Sequence, residues 1–231
     1  MHWLWYTLPL VCAPGLERAL RGPCPPVVDP PPDVRRVLAV AAHPDDLEYF
    51  CGGLLGRFAR SGARVDAVLA TGGERGGETS RRRAEQEEAA RLLGYAGLHW
   101  LGFPDRGVRH DDPRLLAKIH ALTEVERPHL LLTFDPDHPY PIYAHPDHLA
   151  VARAALSVWR GPAWLFHTRR PDIAVDITEA FAAKLAAFGA HRSQLPRRGT
   201  AQLAGWHLQR RHRQGKRFLE LYRTIPPQRV L

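Results

Sequence analysis

Val37-Leu38-Ala39-Val40-Ala41-Ala42-His43-Pro44-Asp45-Asp46-Leu47-Glu48 runs from six apolar residues straight into a cluster of ionisable side chains. A short apolar run without polar alternation reads as a strand buried on both faces, as in a parallel sheet. Pro44 offers no backbone donor and biases His43 toward extended geometry, so the strand is expected to stop there. The polar groups then sit where the strand leaves the sheet. In open α/β sheets, ligands bind at that carboxyl end.

Outward from this stretch, strands and helices alternate. Gly52–Arg60 has helical spacing, Val65–Ala70 reads as a second strand, and Thr71–Gly77 is a loop rich in glycine. Thr79 or Ser80 is expected to cap a helix ending near Leu93, before Gly94. Leu98–Phe103 is a third strand and Pro104–Gly107 a turn. Asp112 and Pro113 mark the start of a helix to about Arg127, and His129–Phe134 is a fourth strand. A polar loop, Asp135–His148, leads into a helix to about Trp159. Ala163–His167 and Ile173–Val175 are short strands, Thr178–Ala190 a helix, and Arg217–Tyr222 shows weak helical periodicity. The alternation implies a Rossmann-like α/β fold, a mostly parallel sheet with helices on both faces. In the common strand order 3-2-1-4-5, strands one and four are neighbours and their loops part to leave a crevice. The two most polar loops follow those strands, so the site is expected at the carboxyl ends of strands one and four.

The 231 residues suit one domain with an appendage. Residues 1–33 read as an N-terminal appendage and proline-rich linker, and 34–231 as the functional domain. His2–Pro14 is apolar but lacks a basic n-region, and it is shorter than the about 20 residues of a membrane span. It is expected to pack on the domain, with an interfacial membrane contact through residues 1–20 as the alternative. The net charge of +8 comes with no nucleic-acid-binding motif, so no nucleic-acid partner is expected. The basic tail, including Arg197, Arg198, Arg210, Arg211 and Arg213, is expected to tune substrate choice. Three cysteines without tight pairing are no disulfide framework, which suggests a reducing, cytoplasmic setting.

The two polar loops carry the chemistry. His43 and Asp46 are three residues apart with Asp45 between, and His145 and His148 repeat that spacing. Two imidazoles and one carboxylate suffice as the protein ligands of catalytic zinc, leaving a position for water. A further carboxylate can act as general base and a further histidine can donate a proton. These segments offer both in excess of three ligands.

Ala42-His43-Pro44-Asp45-Asp46-Leu47-Glu48, followed by Cys51-Gly52-Gly53, resembles the signature of the LmbE-like, or PIG-L, zinc-dependent N-deacetylases. Ala144-His145-Pro146-Asp147-His148 matches that family's second motif. Arg82 and Glu85, Leu101-Gly102-Phe103-Pro104-Asp105 and His191-Arg192-Ser193-Gln194 fit lesser ones. The resemblance implies removal of an N-acetyl group from an N-acetylglucosamine-type substrate, a small acetamido-sugar conjugate. It assigns Zn2+ to His43, Asp46 and His148, with Fe2+ or another divalent metal as the alternative. It makes Asp45 the general base, has His145 stabilise or protonate the tetrahedral intermediate, and gives Tyr143 to the oxyanion. It gives Arg82 and Asp105 to the sugar. Glu48 is expected to be structural and His138 a loop residue. The glycine-rich loop 72–77 is expected to be a lid or a phosphate cradle, although it lacks the P-loop lysine. Two other functions share part of the pattern: a non-haem iron oxygenase, whose facial triad is also two histidines and a carboxylate, and a sugar- or phosphate-binding module with a structural metal.

Overall fold

The computed structural model describes residues 23–140, 144–195 and 213–228. Its first long strand is the opening stretch, β2 (Arg36–Ala41), buried from Val37 onward. β2 pairs parallel with β3 (Arg64–Thr71) on one side and with β5 (Leu130–Phe134) on the other. β4 (Gly97–Phe103) adds parallel to β3, and β6 (Ala163–Phe166) adds parallel to β5. Wholly buried strands such as β5 demand cover on both faces. Helices α2 (Gly52–Arg60), α3 (Thr79–Leu93) and α6 (Phe181–Ala190) pack together on one face, and α4 (Pro113–Glu126) and α5 (Pro146–Val158) on the other. A short helix, α1 (Asp46–Phe50), leads into α2.

Beyond β6 the sheet becomes mixed. β9 (Arg217–Ile225) lies antiparallel between β6 and β7 (Ile173–Asp176), and β8 (Arg213–Gln214) forms a hairpin with it. With β1 (Val27–Val28) at one edge, the full order is β1-β7-β9-β6-β5-β2-β3-β4. Here the structure corrects the helical periodicity expected at Arg217–Tyr222. A buried acid hid the alternation: Phe218, Glu220 and Tyr222 lie on one face of the strand, and Glu220 is as buried as an apolar residue. The proline-rich linker also holds a strand, β1 (Val27–Val28), parallel to β7, with the Pro26 carbonyl accepting from Ala174 N. Asp112 caps α4 as expected, accepting from Arg114 N. At α3 the cap position is Glu78, and Thr79 is already helical. The N-terminal appendage up to residue 22, Tyr143 and most tail arginines lie outside the described residues.

Glu220 ties the mixed half of the sheet to the helices. Its carboxylate accepts from Gly53 N at 2.9 Å and Leu54 N at 2.8 Å, the free amides at the start of α2. It also accepts from the Tyr222 hydroxyl at 2.7 Å and from the buried Lys184 ammonium on α6. Removing one member of a buried ion pair strands the other. Lys184→Met should therefore cost about 3–5 kcal/mol, whereas Tyr222→Phe, which removes one neutral donor, should cost about 1 kcal/mol. Denaturant melts of both variants check this, and equal losses would show that the Glu220 charge is not held by Lys184.

Candidate metal centre

The β2–β5 pairing, Val37↔Leu130 through Ala39↔Leu132, brings the ends of two distant segments together. At the end of β2 the Asp46 carboxylate accepts from His43 N at 2.8 Å and Ala42 N at 3.2 Å, folding the chain back on itself. After β5 the chain re-enters at α5, with Pro146 in its first turn and His145 as N-cap. His145 Nδ1 accepts from Asp147 N at 3.2 Å, the role a serine or asparagine usually plays. His148 lies one turn in, its ring stacked on Phe134 at 4.0 Å and 7°.

The donor groups of three residues converge, with each oxygen of Asp46 facing one of the two histidines. His43 Nδ1 is 3.2 Å from His148 Nε2, His148 Nε2 is 3.2 Å from Asp46 Oδ1, and His43 Nδ1 is 3.6 Å from Asp46 Oδ2. Ligands at about 2.0–2.1 Å from a tetrahedral ion are separated by roughly 3.3–3.4 Å. The triangle has the size that a zinc-like ion requires, and its donor chemistry, two imidazoles and a carboxylate, is that of such a site. The other nitrogen of His43 faces two carboxylates, Asp105 Oδ1 at 3.3 Å and Asp147 Oδ2 at 3.4 Å. A carboxylate behind a ligand histidine fixes the tautomer and turns the free lone pair toward the ion. Asp147 is itself held by Arg106 N at 2.6 Å and Val108 N at 3.3 Å, so the turn after β4 is bolted to α5.

Charge balance follows from this crowding. Burial alone would lower the His43 pKa, but the Asp147, Asp46 and Asp105 carboxylates outweigh it and push the pKa up to about 10. Burial would raise Asp46, but His148 and His43 pull it far below the usual carboxylate range. His145 is lowered by its own burial and by the His43 and His148 rings, which favours a neutral imidazole. With Nδ1 accepting from the helix, its proton sits on Nε2. Asp45 is pushed up to about 6 by burial, with Arg82 opposing and Asp46 adding to the rise.

Asp45 adopts a left-handed backbone, φ 91°, unusual outside glycine though less costly for Asp than for most residues. Arg82 Nη2 donates to Pro44 O at 2.8 Å and lies 3.2 Å from Asp45 Oδ2. Its Nη1 donates to Gly73 O at 2.6 Å. Gln86, one turn along α3, accepts from Asp45 N at 3.1 Å and donates to Glu48 Oε1 at 3.0 Å. His191 Nε2 completes the line, 3.2 Å from Glu48 Oε2.

The structure brings His43, Asp46, His148, Asp45 and His145 together at the ends of β2 and β5. Arg82 and Asp105 are buried, with their polar atoms turned to the protein: Arg82 to Pro44, Asp45 and Gly73, Asp105 to His43 and Arg75 N. The glycine-rich loop wraps the Arg82 guanidinium, and Gly73 and Gly76 approach it too closely to admit a Cβ. Tyr143 lies outside the described residues. Asp147, Gln86 and His191 were not singled out individually from the sequence. Asp147 and His191 belong to matched motifs, and a glutamine inside a helix gives no signal. Two other clusters already hold an arginine between their carboxylates, Arg64 in Asp66–His99–Glu126 and Arg223 in Asp135–Asp137–His138.

Comparison with known proteins bears on the family and the fold. The profile of the PIG-L family, described as GlcNAc-PI de-N-acetylase, matches residues 38–159. A probable N-acetyl-alpha-D-glucosaminyl L-malate deacetylase 2 from Bacillus cereus is 32% identical over 69% of this chain and 84% of its own. The N,N'-diacetylchitobiose deacetylase structure from Pyrococcus horikoshii superposes with a TM-score of 0.75 at 24% identity, covering 98% of this chain and 94% of that one. GalB, the 4-carboxy-2-hydroxymuconate hydratase from Pseudomonas putida KT2440, superposes with a TM-score of 0.68 at 20% identity, over 85% of this chain and 98% of its own. These two structures speak for the fold alone, and a shared fold does not fix a reaction.

A metal and a proton compete for His43 Nδ1. With the His43 pKa near 10, the ring is protonated at neutral pH and must shed that proton to ligate. Zinc affinity of the metal-free protein should rise about tenfold per pH unit between about pH 6 and 9, with one proton released per ion. Calorimetry in buffers of differing ionisation enthalpy counts the proton. A pH-independent affinity with no release would show that the His43 ring is already neutral in the metal-free protein.

Proposed function

The chain belongs to the PIG-L family, and from that membership we propose that it is a metal-dependent hydrolase that removes the acetyl group from a small N-acetylglucosamine-type substrate. The observation that carries the proposal is the convergence of His43, Asp46 and His148 into a ligand-sized triangle, with Asp45 and His145 left over beside it. A structural site normally fills all four positions with protein ligands, so spare acid–base groups argue for chemistry. Zinc fits the donor set best. Fe2+ also fits the ligand types, while the spare Asp45 and His145 suit the acid–base work of hydrolysis. A metal bound by the triangle supplies Lewis-acid chemistry, making a water acidic and a carbonyl electrophilic.

The chain's own residues do the rest. Asp45, with its pKa near 6, is ionised at neutral pH and accepts the proton of the attacking water. The Nε2–H of neutral His145 is a donor for the oxygen on which negative charge develops. Of the two roles expected for His145, the depressed pKa supports hydrogen-bond stabilisation over proton donation. The leaving amine then takes the proton that Asp45 has collected. Asp105 and Asp147 hold the His43 ring. The substrate class rests on the relatives, which are named for acetylated glucosamine conjugates.

A screen of acetamido sugars and their conjugates, reading out free amine and acetate, tests the proposal. Chelation should abolish turnover and zinc should restore it. Asp45→Asn should keep its metal and lose roughly 10²–10⁴-fold in kcat. His145→Ala should also keep its metal and lose about 10²–10³-fold, whereas His148→Ala should lose the metal. Release of neither amine nor acetate from any amide, with water addition to an unsaturated acid instead, would replace the proposal by a hydratase. Full turnover by Asp45→Asn would remove it as the base.

A further inference from the structure

We infer that Gln86 and Arg82 together form a positioning clamp on the Pro44–Asp45 peptide, and that Glu48 and His191 set its orientation. This rests on Asp45 being the base. The two clamp residues lie one turn apart on the buried face of α3. They grip opposite ends of one peptide unit: Arg82 Nη2 donates to its carbonyl, Pro44 O, and Gln86 Oε1 accepts from its amide, Asp45 N. A peptide is planar, so holding both ends fixes its rotation and with it the φ of Asp45. That φ is 91°, a conformation that persists only when the surroundings impose it. The constraint matters because Asp45 and Asp46 are adjacent and must aim their carboxylates differently, one beside Arg82 and the other at the two histidines.

Gln86, Glu48 and His191 are fully buried. A leucine would fill the space of Gln86 without any demand for partners, and buried polar groups are costly unless paired. Their arrangement is directional. An ionised carboxylate only accepts, so the Glu48 carboxylate must face the amide nitrogen of Gln86. That choice delivers the other end of the amide, the acceptor, to Asp45 N. Flipped, the amide would set its NH2 against the Asp45 N–H. His191 holds the second oxygen of Glu48 and so keeps the carboxylate turned toward Gln86. A chain of three hydrogen bonds thus runs from the end of α6 to the backbone of the base.

The decisive variants are Gln86→Leu, Gln86→Glu and the double exchange Gln86→Glu/Glu48→Gln. Gln86→Leu should retain zinc and KM and lose about 10- to 100-fold in kcat on the substrate found in the screen, as for a misplaced catalytic group. Gln86→Glu sets two carboxylates against each other and should lose a similar factor. The double exchange restores an acceptor for Asp45 N and a donor between positions 48 and 86, and should recover kcat to within about threefold. Crystal structures of Gln86→Leu and Asp45→Asn give a readout independent of turnover: Asp45 should leave positive φ in the first. An unchanged Asp45 φ in Gln86→Leu, or unchanged kcat where Asp45→Asn is inactive, would overturn the clamp while leaving the base assignment standing. A fully active Asp45→Asn would instead overturn the assignment on which the clamp rests. A double exchange as slow as Gln86→Glu would overturn the orienting role of Glu48.

Discussion

Parallel hydrogen bonding between β2 and β5 is the constraint from which the site follows. It places the two segments' carboxyl ends side by side although His43 and His148 are 105 residues apart in the chain. Loop closure over such a length is costly in entropy, and the buried apolar strands offset it. Neither half of the site is complete alone. His43 and Asp46 come from the turn after β2, and His148 from the first turn of α5. A one-residue slip in this pairing would turn every side chain of β2 to the other face.

Around that constraint the protein concentrates charge in a small volume. Three carboxylates, Asp46, Asp105 and Asp147, lie within 3.6 Å of the nitrogens of His43. Such an arrangement is stable only with a positive centre, supplied by a proton on the ring or by a metal ion. The same crowding separates the two neighbouring acids: Asp46 is driven strongly acidic while Asp45 is held near 6. Adjacent residues of one type thereby take different duties, set by what each faces.

Apolar continuity made the central sheet legible from sequence. The runs at Val37–Ala42 and His129–Phe134 read as buried strands because they are short, apolar and bounded by Pro44 and the polar loops. The convergence of the histidines and aspartates was legible for the same reason: both motifs close strands. The failures have physical causes. Glu220 is a charged residue in an inward-facing position, compensated by Lys184, Tyr222 and two helix amides, so the strand pattern around it looked helical. Val27–Val28 is too short to show a period and sits among prolines. Arg82 was given to the sugar by resemblance alone, which carries no information about its burial. Its burial becomes intelligible only when the Gly73 carbonyl and the Pro44–Asp45 peptide are seen around it.

The loop that wraps Arg82 bears on how this protein can be altered. Gly73 has φ of 66°, and a Cβ there or at Gly76 would collide with the guanidinium of Arg82. Loops beside an active site are the usual targets when an enzyme's substrate range is to be widened by mutagenesis. Here randomising residues 72–77 would spend most of a library on chains that displace Arg82 and, through it, Asp45.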